Sequence, residues 1–375
     1  MKVSCSQEDL SKGLAVVGRA VATRAVLPIT SNILVATEGS QLKLAATNLE
    51  IAITCWIGAT IEEEGTITIP ARLVTDFVNS LPSGRIDMIL SPRSQSLELR
   101  CARDEAHVSG LDPADFPPIP KIAEGVTIKV KPEELRMAIN QVAFAAASEE
   151  SRPVLTGVDA EFDGNQLTLA AADGFRLAVR KLSLDTTVDE KISVIIPARS
   201  LAELNRLISD QQEPVELTIN PKKSQAIFQL RNVEMVSQLI QGTFPNYEQL
   251  IPQAYSTRAV VKLSEFLRAT RSASIFARDG SGIVRLQIMP KDGKGKIAIS
   301  ARAEEIGDNL GEVDAVVEGE ETKIAFNSRY LMDVLGVLTE EEVALEATTS
   351  SSPGVIRPMG KDNYIHVVMP MFVQW

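Results

Sequence analysis

Leu167-Thr-Leu-Ala-Ala-Ala-Asp-Gly-Phe-Arg-Leu-Ala-Val179 is the segment from which the architecture can be read, because it recurs. An earlier copy, Leu42-Lys-Leu-Ala-Ala-Thr-Asn-Leu-Glu-Ile-Ala-Ile53, lies 125 residues upstream, and a shorter echo, Ile297-Ala-Ile-Ser-Ala301, lies 130 residues downstream. Ahead of each copy stands a strand that ends in a turn cue: Ile33 to Thr37 then Glu38-Gly39, Val158 to Phe162 then Asp163-Gly164, and Val284 to Met289 then Asp292-Gly293. Gly after an acidic residue takes the positive φ that a hairpin needs.

The neighbours of the motif repeat too. A helical pattern opens each unit, with Leu10, Leu14, Val17 and Val21 in the first and Leu135, Ile139 and Val142 behind Pro132 in the second. Apolar residues at i, i+3 or i+4 and i+7 form one helix face. The third helix, Ser264 to Ala277, is less regular. After the motif, Thr66-Ile-Thr-Ile-Pro-Ala-Arg72, Ser193-Val-Ile-Ile-Pro-Ala-Arg199 and Lys323-Ile-Ala-Phe-Asn-Ser-Arg329 each run from a strand into a second helix, with Ile69 and Ile196 127 residues apart and Phe326 130 further on. Phe116-Pro117 and Phe244-Pro245 close two units 128 residues apart. Three α+β units follow, with boundaries giving domains 1–124, 125–255 and 256–375. A period this long exceeds the roughly 20 to 50 residues of the common solenoids, so whole domains are triplicated, suggesting an arc or part of a ring.

The chain of 375 residues is 45% hydrophobic, enough for ordinary globular cores. No apolar run approaches the roughly 18 residues of a membrane span, and the first ten residues lack a signal-peptide core, so a cytoplasmic protein is expected. Cys5, Cys55 and Cys101 are odd in number and share no C-x-x-C spacing, which favours buried free thiols over disulfides or zinc. Catalysis finds little to work with. The only histidines are His107 and His366, and no H-x-x-x-H, G-x-S-x-G or phosphate-loop spacing occurs. No cofactor or metal is expected.

Net charge is −11, which would ordinarily argue against nucleic acid. The six expected helices (7–24, 71–80, 131–148, 198–209, 264–278, 328–338) nevertheless hold twelve basic and eight acidic residues, about +4, leaving about −15 elsewhere. Five of those acids, Glu8, Asp9, Glu133, Glu134 and Glu265, fall in first turns, where the helix dipole favours them.

Together with this repeat, Asp173-Gly-Phe-Arg-Leu-Ala178, Leu27-Pro-Ile29 and the late Val-Met-Pro-Met371 resemble the bacterial DNA sliding clamp family, the β subunit of the replicative DNA polymerase III holoenzyme, over the whole chain. The resemblance implies an α+β ring-forming clamp fold whose three similar domains turn two helices each toward a central hole and antiparallel sheets outward. It implies a non-catalytic processivity factor: a head-to-tail homodimer around double-stranded DNA, held topologically and without sequence preference. The implied partners are the replicative polymerase, the clamp loader, repair polymerases and other proteins with a clamp-binding motif, and no membrane.

Carried onto this sequence, the partner-peptide pocket comprises Leu155, Ala172, Gly174, Phe175, Arg176 and Leu177, with Pro245, Gln249 and Leu250 from the interdomain loop and Val367, Met369, Pro370, Met371 and Phe372 near the end. Arg24, Arg72, Arg152, Arg199 and Arg206 match positions near DNA. Ile275 and Phe276 match the apolar ring contact and should meet the strand bearing Ala106, His107 and Val108 of a second chain. Phe175 stands where many members carry His, Gln249 where a basic residue is common, and the tail runs on through Val373 and Gln374 to Trp375. Two other readings remain: a hydrolase or transferase using carboxylates on triplicated domains, and a monomeric peptide-binding scaffold.

Overall fold

A computed structural model describes residues 1–23, 27–91, 94–121, 124–149, 151–209, 211–278, 280–291 and 294–374, with Lys294 described in its backbone alone. The expected turn at Asp292-Gly293, Arg24 and Trp375 lie outside the described residues. Six α-helices occur among them: α1 (Gln7–Val17), α2 (Ala71–Ser80), α3 (Pro132–Val142), α4 (Ala198–Leu207), α5 (Leu263–Arg278) and α6 (Ser328–Val337). The chain forms two compact units.

The first unit comprises Met1–Pro132 and Arg199–Leu239. It holds a five-stranded antiparallel sheet in the order Thr60–Glu63, Lys2–Ser6, Arg85–Ser91, Ser96–Cys101, Asp104–Ser109. An eight-stranded sheet runs Val126–Val130, Val215–Ile219, Gln225–Gln229, Val233–Gln238, Ile51–Gly58, Gln41–Thr47, Asn32–Glu38, Thr66–Pro70. The strands of two sequence repeats meet in its middle, where Ile53 pairs with Met235.

Helix α1 starts at Ser6, whose hydroxyl accepts the Asp9 N–H at 3.0 Å, and buries Leu10, Leu14 and Val17. Fully burying such side chains contributes about 1.5 to 3 kcal/mol each. Gly13 lets the helix lie close to the sheet, since a Cβ there would stand 2.7 Å from Leu44 Cδ1. All three cysteines are free and buried, and burial pushes the Cys5 thiol up to about 12 and Cys55 to about 11.

The second unit comprises Glu133–Ala198 and Ile240–Trp375. Its ten-stranded sheet runs Gly157–Ala172, Arg176–Pro197, Tyr364–Val368, Gly354–Pro358, Glu342–Ala347, Thr257–Lys262, Gly307–Gly319, Lys294–Ala303, Ile283–Lys291, Thr322–Asn327. The first two strands pair in two ladders of different register, 157–162 against 192–197 and 166–172 against 177–183, with Gly164 at φ +55° between them. Gly39 holds the corresponding corner of the first copy at φ +59°. Helix α5, irregular in sequence, buries Leu263, Phe266, Thr270, Ala273 and Ala277, a clean alternation of three and four residues.

Two helices stop short of their expected ends. Helix α1 gives way to a 3₁₀ turn, Gly18–Ala20, well before residue 24. Helix α3 ends at Val142 and tightens into the turn Ala143–Ala145 despite an alanine-rich continuation. The Gln141 carbonyl accepts from the Tyr364 hydroxyl at 3.1 Å and the Phe144 carbonyl from Arg176 Nη2 at 2.8 Å. Those carbonyls therefore have tertiary donors where a continuing helix would supply N–H groups.

Candidate functional site

The hairpin tip of the opening motif begins with a carboxylate. Asp173 Oδ1 accepts the N–H groups of Phe175 at 2.9 Å and Arg176 at 3.0 Å, and Gly174 takes φ +93°. This Asx turn needs the positive φ that Gly supplies most cheaply. The second arm then pairs with the strand near the chain's end: Arg176 faces Val368, Leu177 faces Val367 and Ala178 faces His366. The Met369 N–H donates to the Phe175 carbonyl at 2.8 Å and carries the pairing past the strand.

Alternation sorts these residues onto two faces. Leu177 and Val367 are buried with Ala170, Val179 and Val355, and Ala172, Tyr247, Ile251 and Ile365 pack against that cluster. Around it, Phe175 is 58% exposed, Leu250 53%, Met369 43% and Phe372 86%. Gly174, Pro245 and Gln249 are exposed as well, Pro370 and Met371 are half-buried, and Leu155 is buried in the turn Pro153–Thr156. An apolar floor thus carries a rim of exposed aromatic, Leu and Met side chains. Such a surface, with a Met able to adapt its shape, suits short apolar peptides of differing sequence.

Arg176 points inward. Its Nε donates to Asp173 Oδ2 at 3.1 Å, its Nη1 to Asp333 Oδ2 of α6 at 2.5 Å, and its Nη2 to the Phe144 carbonyl. The guanidinium carbon lies 4.4 Å from the Tyr330 ring centroid and 5.2 Å from that of Phe144. Phe175 stacks on Tyr330 with centroids 6.5 Å apart. Two carboxylates, a carbonyl and two rings therefore surround one buried cation, so the turn cannot shift without breaking several charge-assisted bonds.

Beneath the strand, His366 is fully buried, stacked on Phe144 at 5.5 Å and 3.4 Å from the Tyr364 hydroxyl through Nδ1. Burial, helped by the Arg176 charge, pushes its pKa down to about 3, and burial pushes the Tyr364 hydroxyl up. Both are neutral through the physiological range. Asp333, Tyr330, Phe144, Tyr247 and Ile251 have no local signature in sequence. The one hint is Tyr330, an aromatic where the other two strand-to-helix junctions carry Leu73 and Ser200.

The Met371 N–H donates to the Ala325 carbonyl at 2.7 Å, and Arg285 Nη2 reaches the Gln374 carbonyl at 3.4 Å. Val373 lines a cavity of about 620 Å³ with Gly280, Ile283, Arg285 and Ile306.

Of the residues expected near DNA, Arg72, in the first turn of α2, has a side chain 96% exposed and lies 3.8 Å from Asp76. Arg199 is exposed in the first turn of α4, Arg206 in its last turn pairs with Glu203 at 2.5 Å, and Arg152 is exposed beside Gly174. On the third repeat Ile275 is 56% exposed and Phe276 half-buried, with Ile306 and Leu310 more exposed still. Ala106 is half-buried, His107 exposed and Val108 buried on Asp104–Ser109. No helix among the described residues is long and apolar enough to cross a membrane.

Three family descriptions tile the chain. The N-terminal domain of the DNA polymerase III beta subunit matches residues 1–120, the central domain 129–246 and the C-terminal domain 248–372. The beta sliding clamp of Staphylococcus aureus is 33% identical over 362 residues, covering 94% of each chain, and that of Bacillus subtilis 31% identical over 381 residues, covering 99% of each. The crystal structure of the Bacillus subtilis DNA polymerase sliding clamp superposes with a TM-score of 0.95 over the full length of both chains at 31% identity. Fold and sequence together define an α+β clamp protein of DNA replication with no catalytic activity of its own. The chain belongs to the bacterial DNA polymerase III beta subunit family, the beta sliding clamps, and acts as a DNA polymerase processivity factor.

Proposed function

We propose that two copies of this chain close head to tail into a ring around duplex DNA, each contributing domains 1–124, 125–255 and 256–375 with two helices apiece toward the hole. The observation that carries the reading is a pair of free strand edges. Asp104–Ser109 ends the five-stranded sheet, and its outer edge has no strand partner among the described residues. Residues 307–314 pair with Lys294–Ala303 on one side, while Thr257–Val261 occupy the other side only from Ala315 onward. Beside that second gap stand the exposed Ile275, Ile306 and Leu310. Open edges next to apolar side chains are a hazard unless another chain covers them, and pairing the two would join the sheets of successive protomers.

Arg72, Arg152, Arg199 and Arg206 then face the phosphates. The basic excess of the six expected helices, about +4, is small, which suits a sliding ring: neutralising many phosphates would bind DNA tightly and make affinity fall steeply with salt. The rim of Phe175, Leu250 and Met369 takes the short apolar motifs of the replicative polymerase, the clamp loader and repair polymerases in the cytoplasm. Charging Ile275 and Phe276 together should give monomers in sedimentation, and an intact dimer would remove this contact. Protein loaded on nicked circular DNA should fall off when the circle is linearised; retention on open-ended DNA would refute topological binding.

A further inference from the structure

Strand pairing on the five-stranded sheet assembles donors that the sequence keeps apart. Glu98 lies directly opposite His107, and Arg100 opposite Glu105, so all four side chains stand on one face of Ser96–Cys101 and Asp104–Ser109. His107 Nε2 lies 3.8 Å from Glu98 Oε2 and 3.7 Å from Glu105 Oε1, and the three donor atoms lie within 4.8 Å of one another. Ligands bound tetrahedrally at about 2.0 to 2.2 Å stand about 3.3 to 3.5 Å apart, so the two His–Glu distances need to contract by only a few tenths of an ångström, and metal binding would draw the two carboxylates together.

Arg100 forms ion pairs with both carboxylates. Its Nε lies against Glu98 Oε1 and 3.3 Å from Glu105 Oε2, while the oxygens that face His107 are Glu98 Oε2 and Glu105 Oε1. Glu98 is further fixed by its surroundings, with only 19% of its side chain exposed. Cys101, next along the strand, is buried on the opposite face and cannot join the set.

We propose that Glu98, Glu105 and His107 form a three-donor site for a divalent transition metal of the zinc class. One imidazole with two carboxylates suits zinc better than calcium or magnesium, which take oxygen ligands almost throughout. Two carboxylates balance the ion's charge, while Arg100 adds a positive neighbour that limits affinity. Three protein ligands leave a fourth position for water. The site shares no residue with the proposed peptide contacts but lies on the strand proposed to meet the second chain, and its metal content is read separately from the oligomeric state.

The test is a titration of the full chain with zinc chloride against a chromophoric chelator, repeated with cobalt(II), whose visible absorption reports the ligand geometry. One equivalent per chain is expected, with a four-coordinate cobalt spectrum. His107→Ala and Glu105→Gln, both exposed and tolerated by the fold, should each weaken zinc by about tenfold or more, in the range that disturbed metal shells show. The absence of saturable zinc uptake, or uptake that survives both substitutions, would overturn the assignment.

Discussion

The turns of the first and second copies of the repeat share one backbone and little else. Asn48 Oδ1 accepts the N–H groups of Glu50 at 3.0 Å and Ile51 at 2.8 Å, as Asp173 Oδ1 accepts those of Phe175 and Arg176. The first residue of each turn also donates its N–H to the carbonyl three residues on, at 3.2 Å from Asn48 and 3.3 Å from Asp173. Leu49 takes φ +76° where Gly174 takes +93°. A short polar side chain therefore fixes the loop in both, and the difference lies in what the loop displays. Leu49, Glu50 and Ile51 become Gly174, Phe175 and Arg176: a bare backbone, an exposed ring and a buried cation.

The largest way to break the comparison is to give the second turn the first turn's side chain. Arg176→Ile would leave Asp173 and Asp333 without their shared cation and Phe144 without its donor. Removing one partner of a buried pair costs about 3 to 5 kcal/mol, and the partial exposure of Asp333 favours the low end, about 3 kcal/mol, in denaturant unfolding. An unchanged midpoint would show that the network does not hold the turn.

Beneath the turns the comparison continues in the paired strands, where His366 faces Ala178 and Met235 faces Ile53. His366 is held neutral in the fold down to about pH 3, whereas an unfolded imidazole takes up its proton near 6.5. The stability this represents is complete above pH 6.5 and is lost as pH falls from there toward 3, because only the unfolded chain binds the proton. The limiting slope is about 1.4 kcal/mol per pH unit, so the loss reaches about 2 kcal/mol near pH 5. His366→Met, which copies the first junction, should flatten that limb in pH-dependent unfolding. A parallel acid limb in the variant would assign the loss to other groups.

Much of this was visible in the sequence, and what was hidden was hidden for a physical reason. The repeat, the glycine corners at Gly39 and Gly164 and the three strand-to-helix junctions are local patterns, and each of these elements formed where its pattern lies. The ends of α1 and α3 were not legible. In α3 the carbonyls of Gln141 and Phe144 are claimed by Tyr364 and Arg176 from strands far along the chain. Residue types pointed to Arg176 and Phe175, yet only the fold shows the first turned inward and the second outward. Asp333 lies 157 residues from Arg176, and no spacing rule connects them. Glu98 and His107 likewise face one another only through strand register.

A smaller change addresses the shared feature itself. Asn48→Ala removes the acceptor of two backbone N–H groups in the first turn, at about 1 kcal/mol for each net hydrogen bond. Exposure lets water replace part of it, so about 1.5 kcal/mol is expected in thermal or denaturant unfolding. No loss would mean that strand pairing alone sets the loop, and the parallel with Asp173 would lose its meaning.

The smallest effect on stability should come with a full effect on partner binding. Gly174 is not spatially enclosed: the nearest atom to an added Cβ is Arg152 Nη1 at 3.7 Å, and Leu49 already shows that a side chain can occupy this backbone. Gly174→Arg should therefore cost only about 1 kcal/mol, the lower end of the penalty for a left-handed residue with a side chain. It would, however, place a second guanidinium beside Arg152 and project a long charged chain next to Phe175, where an incoming apolar peptide would have to desolvate it. Titration with a fluorescent apolar peptide should show binding abolished, with the sedimentation of the chain unchanged. Full affinity in this variant would mean that partners dock elsewhere. The second turn would then differ from the first only in how it anchors to α6.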